Sequence, residues 1–518
     1  MIIDRTWNKF DQRLTISYLD KNNKRKIWKK YLHHISTYEF DDNGKYDTWD
    51  GKKANRIFKD STQYKPNEFD LLELMYKMKD DPETAEMYKD LKTAYPSKLY
   101  CYDIETESGA FFPDPAIAPM PVTSISLCGP DLSCMVLGRH NLDKEQIELM
   151  KTRYFEWIEK NDYARNLKNH QKFEPKFFYQ YFETEEKLLE HWFLKILPNI
   201  ALIVGWNNYR FDRQYLVNRI KKLFGEKQAM NMIKAASPTK EVQKIKWSEM
   251  DGTEGYTYGP VHQAEFDYME LVKKYDFVLR PYESYSLDWV GSHAVKAHKI
   301  KYEGTIQQLW ERDPEWYYYY NAVDSLIVQL IHYRLRCMEP VLNNSSLTLV
   351  PVMKAMGQVA LTTAGMFEVF YNEGKHVVYD WDHCDRIKVP YEGAFCGCVP
   401  GRYEYTICDD FASLYPSQII TCNLSMENIM YNLSEPDSLG RRVKIPWTEE
   451  ELEKYRKDPN YFVTVMGNVY RNDRDYAFKK FQIDRKKRRG EYKYLGWSID
   501  AELVSYLEHR IDDLEKSS

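Results

Sequence analysis

Four acids and one phenol along this chain have the types and local spacing to hold a hard cation and a water. Asp103 and Glu105 are two apart along a strand that starts at Leu99, so both carboxylates leave one face. Asp212 ends the segment Gly205-Trp206-Asn207-Asn208-Tyr209-Arg210-Phe211-Asp212, which follows an apolar strand at 201–204 and opens a helix through Leu216, Ile220 and Leu223 to Gly225. Its carboxylate then lies in a first helical turn, where the N-terminal dipole tolerates negative charge. Tyr320 and Asp324 are four apart at the head of a helix over 322–337, so phenol and carboxylate share a face and converge on one water. Oxygen donors alone suit a hard divalent cation such as Mg²⁺, with no need of histidine or cysteine. Taken singly, each feature has a plain structural reading: an Asp-x-Glu pair is most often two solvated surface acids, and Asp212 an ordinary helix start.

The elements that must position these groups follow from the pattern around them. Residues 1–98 alternate short β-like runs, such as 14–19, with polar turns, such as 41–44, and close on a helix over 68–78. From 99 the chain predicts a strand, a loop with Pro113, Pro115, Pro119 and Pro121, and a hairpin of 122–128 and 133–137 around Gly129-Pro130-Asp131. Helices then alternate with strands; Leu188, Leu189, Trp192, Phe193, Ile196 and Leu197 fall at helical spacing. Such an order predicts an α/β multi-domain protein with a central sheet flanked by helices. A last helix over 499–515 carries an apolar stripe that needs something to pack on.

At 518 residues the chain exceeds one domain of about 100–200 residues. A formal charge of -5 excludes a wholesale basic coat, so nucleic acid must be met by local clusters. Lys21, Lys24, Arg25, Lys26, Lys29 and Lys30 form one, read first as a solvated turn and strand edge and second as a phosphate contact. The nine cysteines show no Cys-x-x-Cys pair and predict buried thiols in a reducing compartment. The start lacks a signal-peptide run, and the most apolar stretch, 192–206, is broken by Lys195, Pro198 and Asn199; the expectation is a soluble, cytoplasmic protein without membrane contact.

In this order the acidic segments resemble the Exo I, Exo II and Exo III motifs of the 3′-5′ proofreading exonucleases of family B DNA polymerases: Asp103 with Glu105, Asn207 with Phe211-Asp212, and Tyr320 with Asp324. Ser284-Tyr285-Ser286-Leu287-Asp288 resembles the Ser-Leu-Asp segment between the last two. The glycine-bounded stretch 251–256 reads equally as the family's primer-moving hairpin and as an ordinary surface hairpin. The resemblance implies a ribonuclease-H-like fold in which Asp103, Glu105 and Asp324 hold one Mg²⁺, Asp103 and Asp212 a second, and Tyr320 orients the attacking water. Asn207 and Phe211 then meet the DNA. Two such cations about 4 Å apart serve phosphodiester cleavage, one generating hydroxide and one stabilising the leaving 3′ oxygen.

Further along, Tyr391-Glu392-Gly393-Ala394-Phe395 resembles the family's template-contacting motif, implying that Tyr391 and Gly393 bind substrate. Asp410-Phe411-Ala412-Ser413-Leu414-Tyr415-Pro416-Ser417 resembles the first acidic motif of the polymerase palm. The resemblance makes Asp410 a catalytic metal ligand, sets Ser413 and Leu414 on the triphosphate, and puts Tyr415 beneath the deoxyribose. The run 484–489 resembles the start of the fingers: Arg485 and Arg489 are four apart and on a helix would grip a triphosphate, although a bare charge run also reads as a solvated face.

The resemblance is to the replicative type of T-even-like bacteriophages and covers the chain as an N-terminal portion. It implies an N-terminal domain over 1–98, rejoined at about 339–375, an exonuclease domain over 99–338, an incomplete palm over 376–468 and partial fingers over 469–518. After Ser417 neither Asp-Thr-Asp nor Lys-x-x-x-Asn-Ser-x-Tyr-Gly occurs. Because two-metal transfer needs both palm acids, the expectation is one subunit of a split polymerase. A C-terminal polymerase subunit would then complete a second Mg²⁺ pair and carry any contact with a sliding clamp. Primer-template DNA, single-stranded 3′ ends and dNTP are the expected partners, and a phage origin would place the chain in the host cytoplasm. The alternatives are a free-standing 3′-5′ DNA exonuclease and a non-enzymatic DNA-binding replisome scaffold.

Overall fold

The first strand serves two cores at once. Side chains alternate faces along a strand, so Ile3 joins the large core of the central sheet while Ile2 enters a smaller one with Leu14, Ile16, Leu72 and Phe367. The computed structural model describes residues 1–49, 51–95, 98–108, 113–248, 254–378, 401–404, 414–422, 424, 428–432, 445–464 and 467–472. Strands β1 (Ile2–Asn8), β2 (Arg13–Leu19) and β3 (Arg25–Tyr31) form an antiparallel meander, and β4 (His34–Phe40), β5 (Tyr46–Asp47) and β6 (Lys53–Asp60) a second small sheet. Helix α1 (Glu68–Lys77) begins with a reciprocal capping box between Asn67 and Asp70, and α2 (Ala85–Leu91) follows. Of the basic cluster, Arg25 is neither solvated nor free for a phosphate: its guanidinium is turned inward and donates to the carbonyls of Ile200 (3.3 Å), His262 (3.4 Å) and Pro198.

The central sheet opens with β7 (Tyr100–Thr106), β8 (Val122–Cys128) and β9 (Cys134–Gly138), consecutive and antiparallel. Helices α3 (Lys144–Lys160) and α4 (Asp162–Gln171) lead to β10 (Phe177–Tyr181), parallel to β9 at the edge. Helix α5 (Glu185–His191) continues through a π turn to β11 (Leu202–Gly205), parallel to β7. Helix α6 (Asp212–Ala236) is broken at Gly225, the expected stop: the glycine leaves helical geometry at φ 79°, and a second helical stretch runs on to Ala236. A separate hairpin pairs β12 (Val242–Ser248) with β13 (Glu254–Pro260) across the stretch at 251–256, of which 251–253 lie outside the described residues. Strand β14 (Ala264–Asp267), parallel to β11, completes the order β10-β9-β8-β7-β11-β14.

Helices α7 (Tyr268–Tyr275), α8 (Leu287–Val295), α9 (Ile306–Arg312), α10 (Pro314–Leu335), α11 (Glu339–Thr348) and α12 (Gln358–Asn372) follow. Helix α10 corrects the expected start at 322. Pro314 occupies its first turn and Asp313 caps it, accepting from the Trp316 N–H at 3.0 Å. Tyr320 and Asp324 therefore lie inside the helix rather than at its head, and every residue from Tyr317 to His332 is buried. Helix α12 returns to α1, where Phe367 packs on Phe69 and Tyr76.

Residues 1–379 pack as one unit, and residues 380–518 form another. In the second, α13 (Leu414–Thr421) precedes a three-stranded antiparallel sheet of β15 (Ile429–Met430), β16 (Tyr461–Val463) and β17 (Val469–Arg471) in the order β15-β17-β16, and α14 (Glu449–Lys457) packs Tyr455 against Tyr461. The helix at 499–515 falls outside the described residues. Cys101, Cys128, Cys134 and Cys337 are buried free thiols. Among the described residues no helix is long and apolar enough to cross a membrane.

Candidate active site

Strand β7 is central in the sheet, and its alternation turns Asp103 and Glu105 to the same side. The β7–β8 ladder is irregular between Glu105 and Thr106, a local break of the kind that re-aims side chains at the end of a strand. Helix α10 crosses this face and brings Asp324 over the pair. One carboxylate oxygen from each of Asp103, Glu105 and Asp324 lies within 4.8 Å of the other two. Asp324 is 1 % exposed, and its Oδ1 is buried without a hydrogen-bond partner. An orphaned buried oxygen amid two further carboxylates is a donor set matched to a hard cation, not to a packed core.

Asp212 joins from the other side of β7. Strand β11 pairs with β7 only as far as Cys101, which leaves the Ile104 N–H without a strand partner. Asp212 Oδ1 accepts that N–H at 3.1 Å, tying the first turn of α6 to the acidic strand. Behind it lies a buried polar cluster. Glu265 on β14 accepts from Tyr102 Oη (2.8 Å) and Asn208 Nδ2 (2.9 Å) and is ion-paired with Arg213, next in sequence to Asp212. Asn207 adopts φ 61°, and its N–H donates to Asp267 Oδ1 at 2.9 Å; Phe211 packs on Tyr215, with ring centroids 5.5 Å apart.

Two residues that sequence reasoning missed act on the acids directly. Lys299 donates from Nζ to Asp324 Oδ2 (2.5 Å) and to the Tyr320 hydroxyl (3.1 Å). Its main-chain N–H donates to Asp288 Oδ1 at 2.7 Å, so the Ser-Leu-Asp segment heading α8 anchors the loop that delivers this ammonium. Asn321 donates from Nδ2 to Asp103 Oδ2 at 2.7 Å. Tyr302 stands edge-on to Tyr320 at 5.5 Å. Local spacing signals neither partnership, because each joins residues far apart in the chain.

Burial dominates the electrostatics. It pushes Asp103 well above the usual carboxylate range, with Asp212, Asp324 and Glu105 adding in the same direction. Glu105 is raised to about 8 by burial and then by Asp324, and Asp212 to about 7 by burial, opposed by its bond from Ile104. Asp324 is raised less because Lys299 favours its charged form. Several buried acids in one place resist ionisation together until positive charge compensates them.

The structure thus brings Asp103, Glu105 and Asp324 together, with Tyr320 and Lys299 at their rim and Asp212 bonded to the same strand. Leu414 and Tyr415 lie in the first turn of α13 and are exposed. Tyr391, Gly393, Asp410, Ser413, Arg485 and Arg489 lie outside the described residues.

Residues 32–290 match the exonuclease domain of DNA polymerase family B, half of the chain, and the chain belongs to that family. Among curated relatives, it is 32 % identical over 254 residues to the DNA-directed DNA polymerase of Enterobacteria phage T4, covering 48 % of this chain and 27 % of that protein. It is 28 % identical over 305 residues to the DNA-directed DNA polymerase of Escherichia phage RB69, covering 58 % and 32 %. DNA polymerase 1 of Sulfolobus acidocaldarius is 26 % identical over 441 residues, covering 77 % and 43 %. The chain therefore spans less than half the length of each of these relatives.

Proposed function

We propose that residues 99–338 form a ribonuclease-H-like 3′-5′ exonuclease domain that trims DNA ends, with Asp103, Glu105, Asp212 and Asp324 as ligands of two Mg²⁺. The observation that carries this reading is the convergence of Asp103, Glu105 and Asp324, with Asp324 Oδ1 buried and without a hydrogen-bond partner. The sheet supports it: an antiparallel β9-β8-β7 triplet extended by parallel β11 and β14 is the arrangement the fold implies. Bound divalent cations supply a hydroxide near neutral pH and charge stabilisation for the leaving 3′ oxygen.

The chain's own groups do the rest. Lys299 holds the Tyr320 phenol beside Asp324, where its oxygen can orient a water toward a phosphate. Asn207 and Phe211, on the turn into α6, are the proposed DNA contacts, and a single-stranded 3′ end is the proposed substrate. The test is Mg²⁺-dependent shortening of a 5′-labelled single strand by the whole chain. Asp103→Ala or Asp324→Ala should lower the rate by more than about 100-fold, since loss of even an outer partner of a metal ligand costs 10–100-fold. Undiminished cutting by either variant refutes the reading.

A second reading rests on the 410–417 motif. In it Asp410, with Ser413, Leu414, Tyr415, Tyr391, Gly393, Arg485 and Arg489, contributes to nucleotidyl transfer from dNTP on primer-template DNA. One carboxylate does not hold two adjacent dications, so the second palm acid is proposed to come from a C-terminal polymerase subunit, which would also carry any sliding-clamp contact. Primer extension by the chain mixed with that subunit, abolished by Asp410→Ala, is the expected result; extension that survives the substitution rejects it.

A further inference from the structure

We propose that Asn321 is a positioning residue that fixes the Asp103 carboxylate for cation binding, an inference that takes its purpose from the nuclease reading and its geometry from the fold alone. Ser124 and Ser126 are two apart on β8, so both face α10, and both are fully buried. Ser126 Oγ donates to the main-chain carbonyl of Asn321 at 2.9 Å, and Ser124 Oγ donates to its Oδ1 at 2.7 Å. With Oδ1 engaged as an acceptor, the amide nitrogen is the atom left to face Asp103, and Nδ2 donates to Asp103 Oδ2 at 2.7 Å. The reversed amide would set a carbonyl oxygen against a carboxylate oxygen and lose the bond.

The register makes the arrangement specific. Ser126 is the cross-strand partner of Asp103, and Ser124 that of Glu105. Strand β8 contributes no acid, yet through Asn321 it sets the side-chain conformation of one. Asn321 is itself fully buried, so the amide has no water to turn to. The bond holds Oδ2 and so fixes the orientation of the Asp103 carboxylate. An Asp103 without it would sample other rotamers and pay an ordering cost when a cation binds.

The experiment measures Mn²⁺ binding to the whole chain by calorimetry and electron paramagnetic resonance, with no DNA present. Asn321→Leu keeps the approximate volume and removes both hydrogen bonds; it should weaken Mn²⁺ binding by about 10–100-fold. Ser124→Ala, which folds with less disturbance, should shift affinity in the same direction by a smaller factor. In an Asp103→Ala background neither change should weaken binding further, which separates positioning from general damage. Mn²⁺ affinities of both variants within about twofold of the unaltered chain, well short of the positioning cost, overturn the proposal. So does an equal loss in the Asp103→Ala background, or failure of the unaltered chain to bind Mn²⁺. Tight Mn²⁺ binding that weakens as stated, in a chain that cuts no DNA, upholds the role of Asn321 and removes only the nuclease reading.

Discussion

Lys299 and Asp324 form an ion pair at the acidic cluster, Nζ to Oδ2 at 2.5 Å, with the ammonium also bonded to the Tyr320 hydroxyl. A lysine from the loop after α8 thus offsets acids gathered from β7 and α10. Asp324 is almost wholly buried, whereas the lysine side chain is 35 % exposed. Lys299→Met should therefore cost about 2 kcal/mol of stability in metal-free buffer, below the 3–5 kcal/mol typical of fully buried pairs. Millimolar Mg²⁺ should restore part of it. Urea unfolding with and without Mg²⁺ checks this, and equal losses in both buffers would refute it.

Cation binding should stabilise the fold by linkage. At a concentration 100 times the dissociation constant the gain is about 2.7 kcal/mol. The unaltered chain should melt at a higher temperature in Mg²⁺ than in chelator, and Asp324→Ala should melt at the same temperature in both. A retained shift in that variant would place the cation elsewhere.

The pair of Arg213 and Glu265 is buried on both sides, 1 % and 2 % exposed. Arg213→Leu leaves the Glu265 carboxylate with two neutral donors and no cation. The expected loss is about 3–5 kcal/mol in denaturant unfolding. A change under about 1 kcal/mol, the size of a surface pair, would contradict the burial argument.

His332 gives a pH prediction whose sign can be worked out. Burial, with Arg336 adding, lowers its pKa from 6.5 to about 4, while Tyr268 Oη lies 3.2 Å from its Nδ1. Between those values the unfolded chain binds a proton that the folded one refuses, so stability is lost as pH falls from 6.5 toward 4, by on the order of 3 kcal/mol. His332→Gln should flatten that part of the stability profile. An unchanged slope between pH 4.5 and 6.5 would show that the imidazole protonates freely in the fold.

Much of the site is legible from local spacing. Alternation along the strand that starts at Leu99 gives the shared face of Asp103 and Glu105, and the apolar strand before Gly205 places Asp212 at the start of a helix. The hairpin around Gly129-Pro130-Asp131 is equally plain. The head of α10 is not read correctly, although Asp313-Pro314 carries a cap and a first-turn proline; the tyrosine run that follows obscures the helical stripe, because α10 is buried on every side. Lys299 and Asn321 stay hidden for another reason. Their partners are chosen by the crossing of α10 over β7 and β8, a tertiary event that no spacing rule encodes. Arg25 shows the converse: it sits in a basic run that looks solvated, yet three main-chain carbonyls claim its guanidinium.

That inward arginine bears on how the proposed nuclease part can be isolated. Pro198, Ile200 and His262 all flank strands of the central sheet, and the His262 imidazole is further held by Thr6 (3.0 Å) and Ser17 (2.9 Å). Met1, Ile3 and Leu19 belong to the same apolar interior as Tyr268 and Val323. Excising a minimal nuclease at residue 99 would strip these plugs from its flank, baring oily surface and unmet carbonyls; a workable excision has to carry the amino-terminal meander along.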